Sequence, residues 1–221
     1  MKILVTGDTH GHLGIKRLSP DLKADVVIIL GDFGGVWSSS DTQTLDYVSQ
    51  LPYEVLFIDG NHENFELLYQ FPVSDLYGAQ VRRILPNLAH LMRGVVYEIG
   101  DKTIFTFGGA ASIDRVYRMD RVSWWKEELP NWQEMELGMA SLASRANKVD
   151  YILTHTCPNA IKYLLPLPVL YDDFKDPTED YLTLVSQEAK FKRWYFGHFH
   201  VDTSLISKKY KCLYTKFVEL T

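Results

Sequence analysis

Seven polar side chains in this 221-residue sequence share one setting, each lying just beyond a short apolar run. Asp8 and His10 follow Ile3-Leu4-Val5, Asp32 follows Val26 to Leu30, and Asn61 follows Val55 to Ile58. His155 follows Tyr151-Ile152-Leu153, and His198 and His200 follow Trp194-Tyr195-Phe196. Two carboxylates, one amide and four imidazoles are donors for hard-to-borderline divalent cations, with no thiolate among them. Seven donors exceed what one ion with an open coordination position accepts, whereas two ions sharing a carboxylate use them all. The inventory predicts one ion on Asp8, His10, Asp32 and His200, and a second on Asp32, Asn61, His155 and His198. Asp32 is then the bridge. Singly, each residue has an ordinary explanation: an Asp at a strand end caps a turn, and a lone His packs. Yet His10, His62, His155, His198 and His200, five of the seven histidines, all fall just past predicted strands. That joint placement points to metal chemistry.

Bringing residues 8 to 200 together is the task of the intervening elements. The apolar runs are short, β-branched and aromatic, the pattern of strands buried on both faces. Helix-like segments over 41–50, 63–70, 133–147 and 178–191 alternate with them. Strands alternating with helices predict parallel pairing and an α/β fold. The carboxyl ends of neighbouring parallel strands open on one crevice, where distant residues meet. His198 and His200 are two apart, so an extended backbone points both to one side, and the same holds for Asp8 and His10. Residues 81–107 differ: 89–92, 95–99 and 103–107 are separated by Arg93-Gly94 and Gly100-Asp101, which predicts an antiparallel meander. Residues 201–219 offer two or three more short strands. The expected architecture is a mixed sheet or two facing sheets with helices outside. No repeat or linker interrupts it, so residues 1–221 are expected to form a single domain.

Hydrophobic residues make up 46% and charged residues 23%, near globular averages, which excludes disordered, collagenous and coiled-coil chains. With 23 basic and 28 acidic residues the net charge is −5, so a broad electrostatic grip on nucleic acid is disfavoured and only a local basic groove remains open. Cys157 and Cys212 are too few and too far apart for a disulfide scaffold or a cysteine zinc site, and suit a reducing compartment. The opening apolar run is too short for a secretion signal. The longest aliphatic run, Val26 to Leu30, falls far below a membrane span. These features predict a cytoplasmic protein with no membrane partner.

In order, Asp8-Thr9-His10-Gly11, Gly31-Asp32, Gly60-Asn61-His62-Glu63, Thr154-His155 and Gly197-His198-Phe199-His200 resemble the five motifs of the calcineurin-like metallophosphoesterases. The resemblance implies a β-sandwich flanked by helices and two divalent ions, manganese first, with iron, zinc, nickel or magnesium as other occupants. It implies hydrolysis of phosphate mono- or diesters by a hydroxide generated between the ions, with Asp32 central to catalysis. His62 takes the place of the family's general acid, and Asn61 contacts substrate as well as metal. Glu63, His12 and Asp59 are expected to support these groups rather than ligate. The segment Phe107 to Trp125 looks like compact bacterial and phage members.

One departure bears on substrate. Protein phosphatases of the family carry an Asp and an Arg after the second motif, where this chain has Gly35 and Val36. A small-molecule or nucleotide diester is therefore favoured; a nuclease and a non-catalytic module of the same fold are the alternatives. Arg115, Arg118 and Arg121 lie past the small-residue run Gly108 to Ser112, where backbone approaches a ligand closely. Arg118 is the candidate for a substrate phosphate oxygen; the competing reading pairs it at the surface with Asp114 or Asp120. Trp37, Trp124, Trp125 and Trp132 are candidates for a pocket wall.

Overall fold

The computed structural model describes residues 1–38, 40, 42–168 and 174–221. In chain order its strands are β1 (Ile3–Thr6), β2 (Val26–Leu30), β3 (Glu54–Ile58), β4 (Val73–Leu76), β5 (Ala79–Leu85), β6 (Leu88–Leu91) and β7 (Val95–Ile99). They continue as β8 (Lys102–Phe107), β9 (Tyr151–Thr154), β10 (Arg193–Phe196), β11 (Thr203–Leu205), β12 (Tyr210–Cys212) and β13 (Val218–Glu219). Helices are α1 (Gln43–Ser49), α2 (Phe65–Leu68), α3 (Trp132–Ala143), α4 (Asn159–Lys162) and α5 (Pro177–Glu188).

The strands form two mixed sheets, ordered β13-β1-β2-β3-β6-β5-β4 and β11-β12-β10-β9-β8-β7. Parallel pairing links β1, β2, β3 and β6 in one, and β8, β9, β10 and β12 in the other. Alternation along each strand explains why the runs are apolar throughout. Ile3, Val5, Ile28, Leu56, Tyr151, Leu153 and Tyr195 point between the sheets. Their neighbours Leu4, Val27, Ile29 and Phe57 pack outward with Val48 of α1 and Phe65 and Leu68 of α2. On the other side Ile152, Trp194 and Phe196 pack with Leu142 of α3 and Leu182 and Val185 of α5. The central strands of both sheets are covered on both faces, giving the α/β sandwich flanked by helices.

Local chemistry sets the helix ends. Asn131 and Glu134 form a reciprocal capping box at α3, and Asp176 accepts from Thr178 N at 2.8 Å before Pro177 opens α5. The helix expected over 133–147 stops at Ala143, because Ala146 and Asn147 turn left-handed (φ 52° and 57°) and lead the chain into β9. The predicted helix start at Asp41 lies outside the described residues.

The expected meander is replaced by a crossover. β6 joins the first sheet, between β3 and β5, while β7 and β8 form a hairpin in the second. Met92, Arg93 and Gly94 carry the chain from sheet to sheet. Arg93, only 4% exposed, is buried there with Asp59, so the segment is a packed corner rather than a hairpin turn.

Candidate metal centre

Five parallel strands end at one edge of the sandwich: β1, β2 and β3 from one sheet, β9 and β10 from the other. Asp8, Asp32, Asn61, His155, His198 and His200 lie just past those ends. The backbone there is not extended. His10, Asp32, His198 and His200 have φ of 49°, 46°, 67° and 52°. Left-handed non-glycine backbone costs about 1–3 kcal/mol per residue and collects at functional sites. This overturns the extended-backbone argument for His198 and His200. His200 faces His10, with the two Nε2 atoms 2.9 Å apart, whereas His198 packs edge-on against the His155 ring.

Asp8, His10, Asp32 and His200 each offer a donor atom within 4.8 Å of the others. The His198 N–H donates to Asp8 Oδ1 at 3.0 Å. That leaves Asp8 Oδ2 buried without an aligned hydrogen bond, 3.1 Å from His200 Nε2 and 3.9 Å from His10 Nε2. His10 Nε2 is 3.8 Å from Asp32 Oδ2.

The second group is built around His155. Its Nδ1 lies 2.8 Å from the Leu30 carbonyl, which can only accept, so Nδ1 donates there and Nε2 is the ring nitrogen turned to the centre. Nε2 faces Asn61 Oδ1 at 3.0 Å and Asp32 Oδ1 at 3.4 Å. The amide is turned this way because Asn61 Nδ2 donates to Ser112 Oγ at 3.1 Å. An imidazole nitrogen, an amide oxygen and a carboxylate oxygen so gathered are a donor set that suits a divalent ion.

Charge follows the same geometry. Burial alone would raise the Asp32 carboxyl, but His155, His62 and His10, with the His62 N–H at 2.8 Å, hold it well below the usual range. Burial, then the neighbouring His155, keeps His198 far below the ordinary imidazole value, so the ring is neutral as a ligand must be. Contact with Asp8 raises His200. Space is equally specific: a side chain on Gly31, Gly60 or Gly197 would lie 2.0 Å from His155 Nδ1, 2.0 Å from Asp32 Oδ1 or 2.3 Å from Asp8 Oδ1.

His62 lies beside this group, its ring 5.4 Å from that of His10. Arg118 reaches it from the loop after β8, with Nη1 and Nη2 at 3.1 and 2.9 Å from Nδ1 and Nε2. Asp114 grips the same guanidinium at 2.7 and 2.8 Å, and the Ser123 carbonyl accepts at 3.1 Å. Arg118 thus has the Asp114 partner of the surface reading, yet its side chain is only 12% exposed and stands in the cleft. Asp120 is not that partner.

Glu63 is buried and accepts from Phe33 N and Gly34 N at 2.7 and 3.1 Å, clamping the loop past Asp32. Burial, with Asp32 nearby, raises its carboxyl well above the ordinary value. Asp59 turns away from the centre, binding Arg93 Nε at 2.8 Å and His90 Nε2 at 2.9 Å. The run Gly108 to Ser112 packs against the chain's own groups instead of a ligand: a side chain on Gly108 would meet Asp59, and one on Gly109 would meet Glu128. Trp37 lines the cleft; Trp125 packs edge-on to it in the core, Trp124 carries Arg115, and Trp132 is exposed on α3. The sequence did not point to Ser112 or Glu128, although the small-residue run marked their neighbourhood.

Among the described residues no helix is long and apolar enough to cross a membrane. No curated protein matches the chain. Solved structures that resemble it include a Staphylococcus aureus protein described as a 5'-nucleotidase, with 13% identity over 96% of this chain and 48% of that one, TM-score 0.49. Another is the phosphopantetheinyl hydrolase of Mycobacterium tuberculosis, with 14% identity over 96% of this chain and 88% of that one, TM-score 0.45. The chain spans about half the length of the first. A family model for the calcineurin-like phosphoesterases matches residues 1–202. The chain belongs to that family, metal-dependent hydrolases of phosphate esters.

Proposed function

We propose that the chain is a dinuclear metal phosphoesterase whose preferred substrates are phosphodiesters of small molecules or nucleotides. The observation that carries the reading is the convergence of Asp8, His10, Asp32 and His200 within 4.8 Å, with Asn61 Oδ1, His155 Nε2 and Asp32 Oδ1 gathered beside them. Asp8, His10, Asp32 and His200 would hold one ion, and Asp32, Asn61, His155 and His198 the other. When bound, the pair supplies positive charge for the phosphate oxygens and a water acidic enough to attack phosphorus near neutral pH.

The chain's own residues do the rest. A phosphate group is a stronger partner for a guanidinium than a neutral imidazole is, so substrate draws Arg118 off His62 while Asp114 keeps the side chain in the cleft. Burial lowers the proton affinity of His62; Asp32 opposes this, and Arg118 and His10 reinforce it. Removing the guanidinium and adding an anionic ester both raise that affinity. His62 thus takes up a proton as substrate arrives and delivers it to the leaving alkoxide. Water oxygen joins phosphorus, the ester P–O bond breaks, and an alcohol and a phosphomonoester leave.

The preference for diesters rests on the space around His62. One lobe of about 390 Å³ is walled by Ile113, Leu167, Phe199 and Val201 beside Arg118. Another of about 210 Å³ is lined by His12, Gly34, Gly35, Trp37 and Thr44, and His62 borders both. A diester places a group on each side of phosphorus; a monoester fills one lobe. The test is a manganese-reconstituted panel of phosphomonoesters, phosphodiesters, cyclic nucleotides and short DNA and RNA, with Asp32→Ala in parallel. Diester hydrolysis that vanishes in Asp32→Ala supports the reading. A monoesterase or a nuclease with steep salt dependence replaces the diester preference; no activity on any arm overturns the enzyme reading.

A further inference from the structure

Asn61 is an amide, and an amide binds a cation only through its oxygen. Its other end donates, so a 180° flip would turn an NH₂ group toward the cation and remove the ligand. What holds the orientation lies outside the metal centre. Asn61 Nδ2 donates to Ser112 Oγ at 3.1 Å. Ser112 Oγ in turn donates to Glu128 Oε2 at 2.6 Å, and Ser112 N donates to Glu128 Oε1 at 2.9 Å. A hydroxyl has one proton. With that proton committed to Glu128, Ser112 offers Asn61 only lone pairs, and the amide must answer with its NH₂. Ser112 and Glu128 are each 2% exposed, so water has little access to substitute for either.

We infer that Glu128 and Ser112 are positioning residues that polarise a buried relay, fixing Asn61 with Oδ1 turned to His155 and thereby setting the affinity of one of the two metal positions. The inference rests on the proposed metal centre and adds residues from a separate segment of the chain. It assigns a purpose to the packing of the loop after β8. Gly109 N donates to the Asp59 carbonyl at 2.9 Å and Ala111 N to Asp176 Oδ2 at 2.8 Å, so the backbone carrying Ser112 is tied on both sides.

The relay has a direction, and that makes the role testable. In Glu128→Gln the new amide keeps an oxygen for Ser112 N and presents an NH₂ to Ser112 Oγ. The hydroxyl proton then turns toward Asn61 and favours the flipped amide. Ser112→Ala removes the anchor without reversing it. Calorimetric titration of the metal-free 221-residue chain with Mn²⁺ resolves the two positions, and thermal unfolding without metal reports the fold. Glu128→Gln is expected to weaken one position about 10–100-fold and leave the other within about twofold, with a smaller loss in Ser112→Ala. Equal weakening of both positions, or two unchanged affinities in either folded variant, overturns the relay. Should Glu128→Gln fail to fold, Ser112→Ala decides by the same one-position criterion. If the unsubstituted chain itself binds no Mn²⁺, the metal-centre reading fails, a result distinct from failure of the relay.

Discussion

His62 and Arg118 show how one contact separates two roles. A neutral imidazole has a single lone pair, so Arg118, at 3.1 and 2.9 Å from its two nitrogens, makes at most one true hydrogen bond to it. The arrangement suits a guanidinium waiting for a better partner. Arg118→Ala should raise KM at least tenfold with a smaller change in kcat, and the His62 ring should titrate at higher pH than in the parent chain. Kinetics and an NMR titration check both; a kcat loss with unchanged KM would contradict a phosphate-binding role. His62→Ala should retain both ions and slow esters of poor leaving groups by about 10²–10⁴-fold. Activated aryl esters, which leave without a proton, should slow far less. Equal losses on both would count against the acid.

At the scale of elements, the corner between β6 and β7 depends on buried charge. Arg93 binds Asp59 and also reaches Glu134 Oε2 of α3 at 3.2 Å, tying the end of β3 to a helix on the other sheet. Burial would push the Asp59 carboxyl up, but Arg93 and the His90 hydrogen bond hold it well below the usual range. A depressed carboxyl stabilises the fold above its unfolded value of about 3.9, and the contribution is lost as pH falls through the folded value. Arg93→Ala leaves the buried carboxylate without its guanidinium partner and with only the His90 contact, at a cost of about 3–5 kcal/mol. The melting temperature at pH 7 should fall by roughly 6–20 °C for a chain of this size. Without Arg93, burial makes Asp59 easier to protonate, so the deficit should narrow on acidification toward pH 4. Melting curves of both proteins without metal at several pH values measure it; a deficit independent of pH would exclude the ion pair as the cause.

At the scale of the molecule, two sheets contribute to one centre, so metal binding should join them. An ion present at one hundred times its Kd adds about 2.7 kcal/mol of stability. Mn²⁺ should raise the melting temperature, EDTA should reverse the gain, and Asp32→Ala should abolish it by losing the bridge. The gain should also shrink on acidification through about pH 6.5, where protons compete for imidazole ligands. Contact with Asp8 raises the proton affinity of His200. A metal-induced shift that stays constant from pH 8 to 5 would speak against imidazole ligation.

Much of this was legible in the chain itself, because burial on both faces of a strand and the polar residues that end it are local properties. Ile3 to Thr6, Val26 to Leu30 and Trp194 to Phe196 announce parallel strands wherever they occur, and the donors at their ends follow by position. The contacts that aim those donors are not local. Arg118 meets His62 across 56 residues and Asn61 meets Ser112 across 51, and neither spacing has a periodic signature. The left-handed turns at His10, Asp32, His198 and His200 also escape local preference, which disfavours such backbone outside glycine. Composition and the short apolar runs therefore determined which polar residues stand past the strand ends and the edge where they gather. Packing of the two sheets, with the long-range hydrogen bonds it permits, decided where each donor points, because those bonds exist only once the sheets have closed.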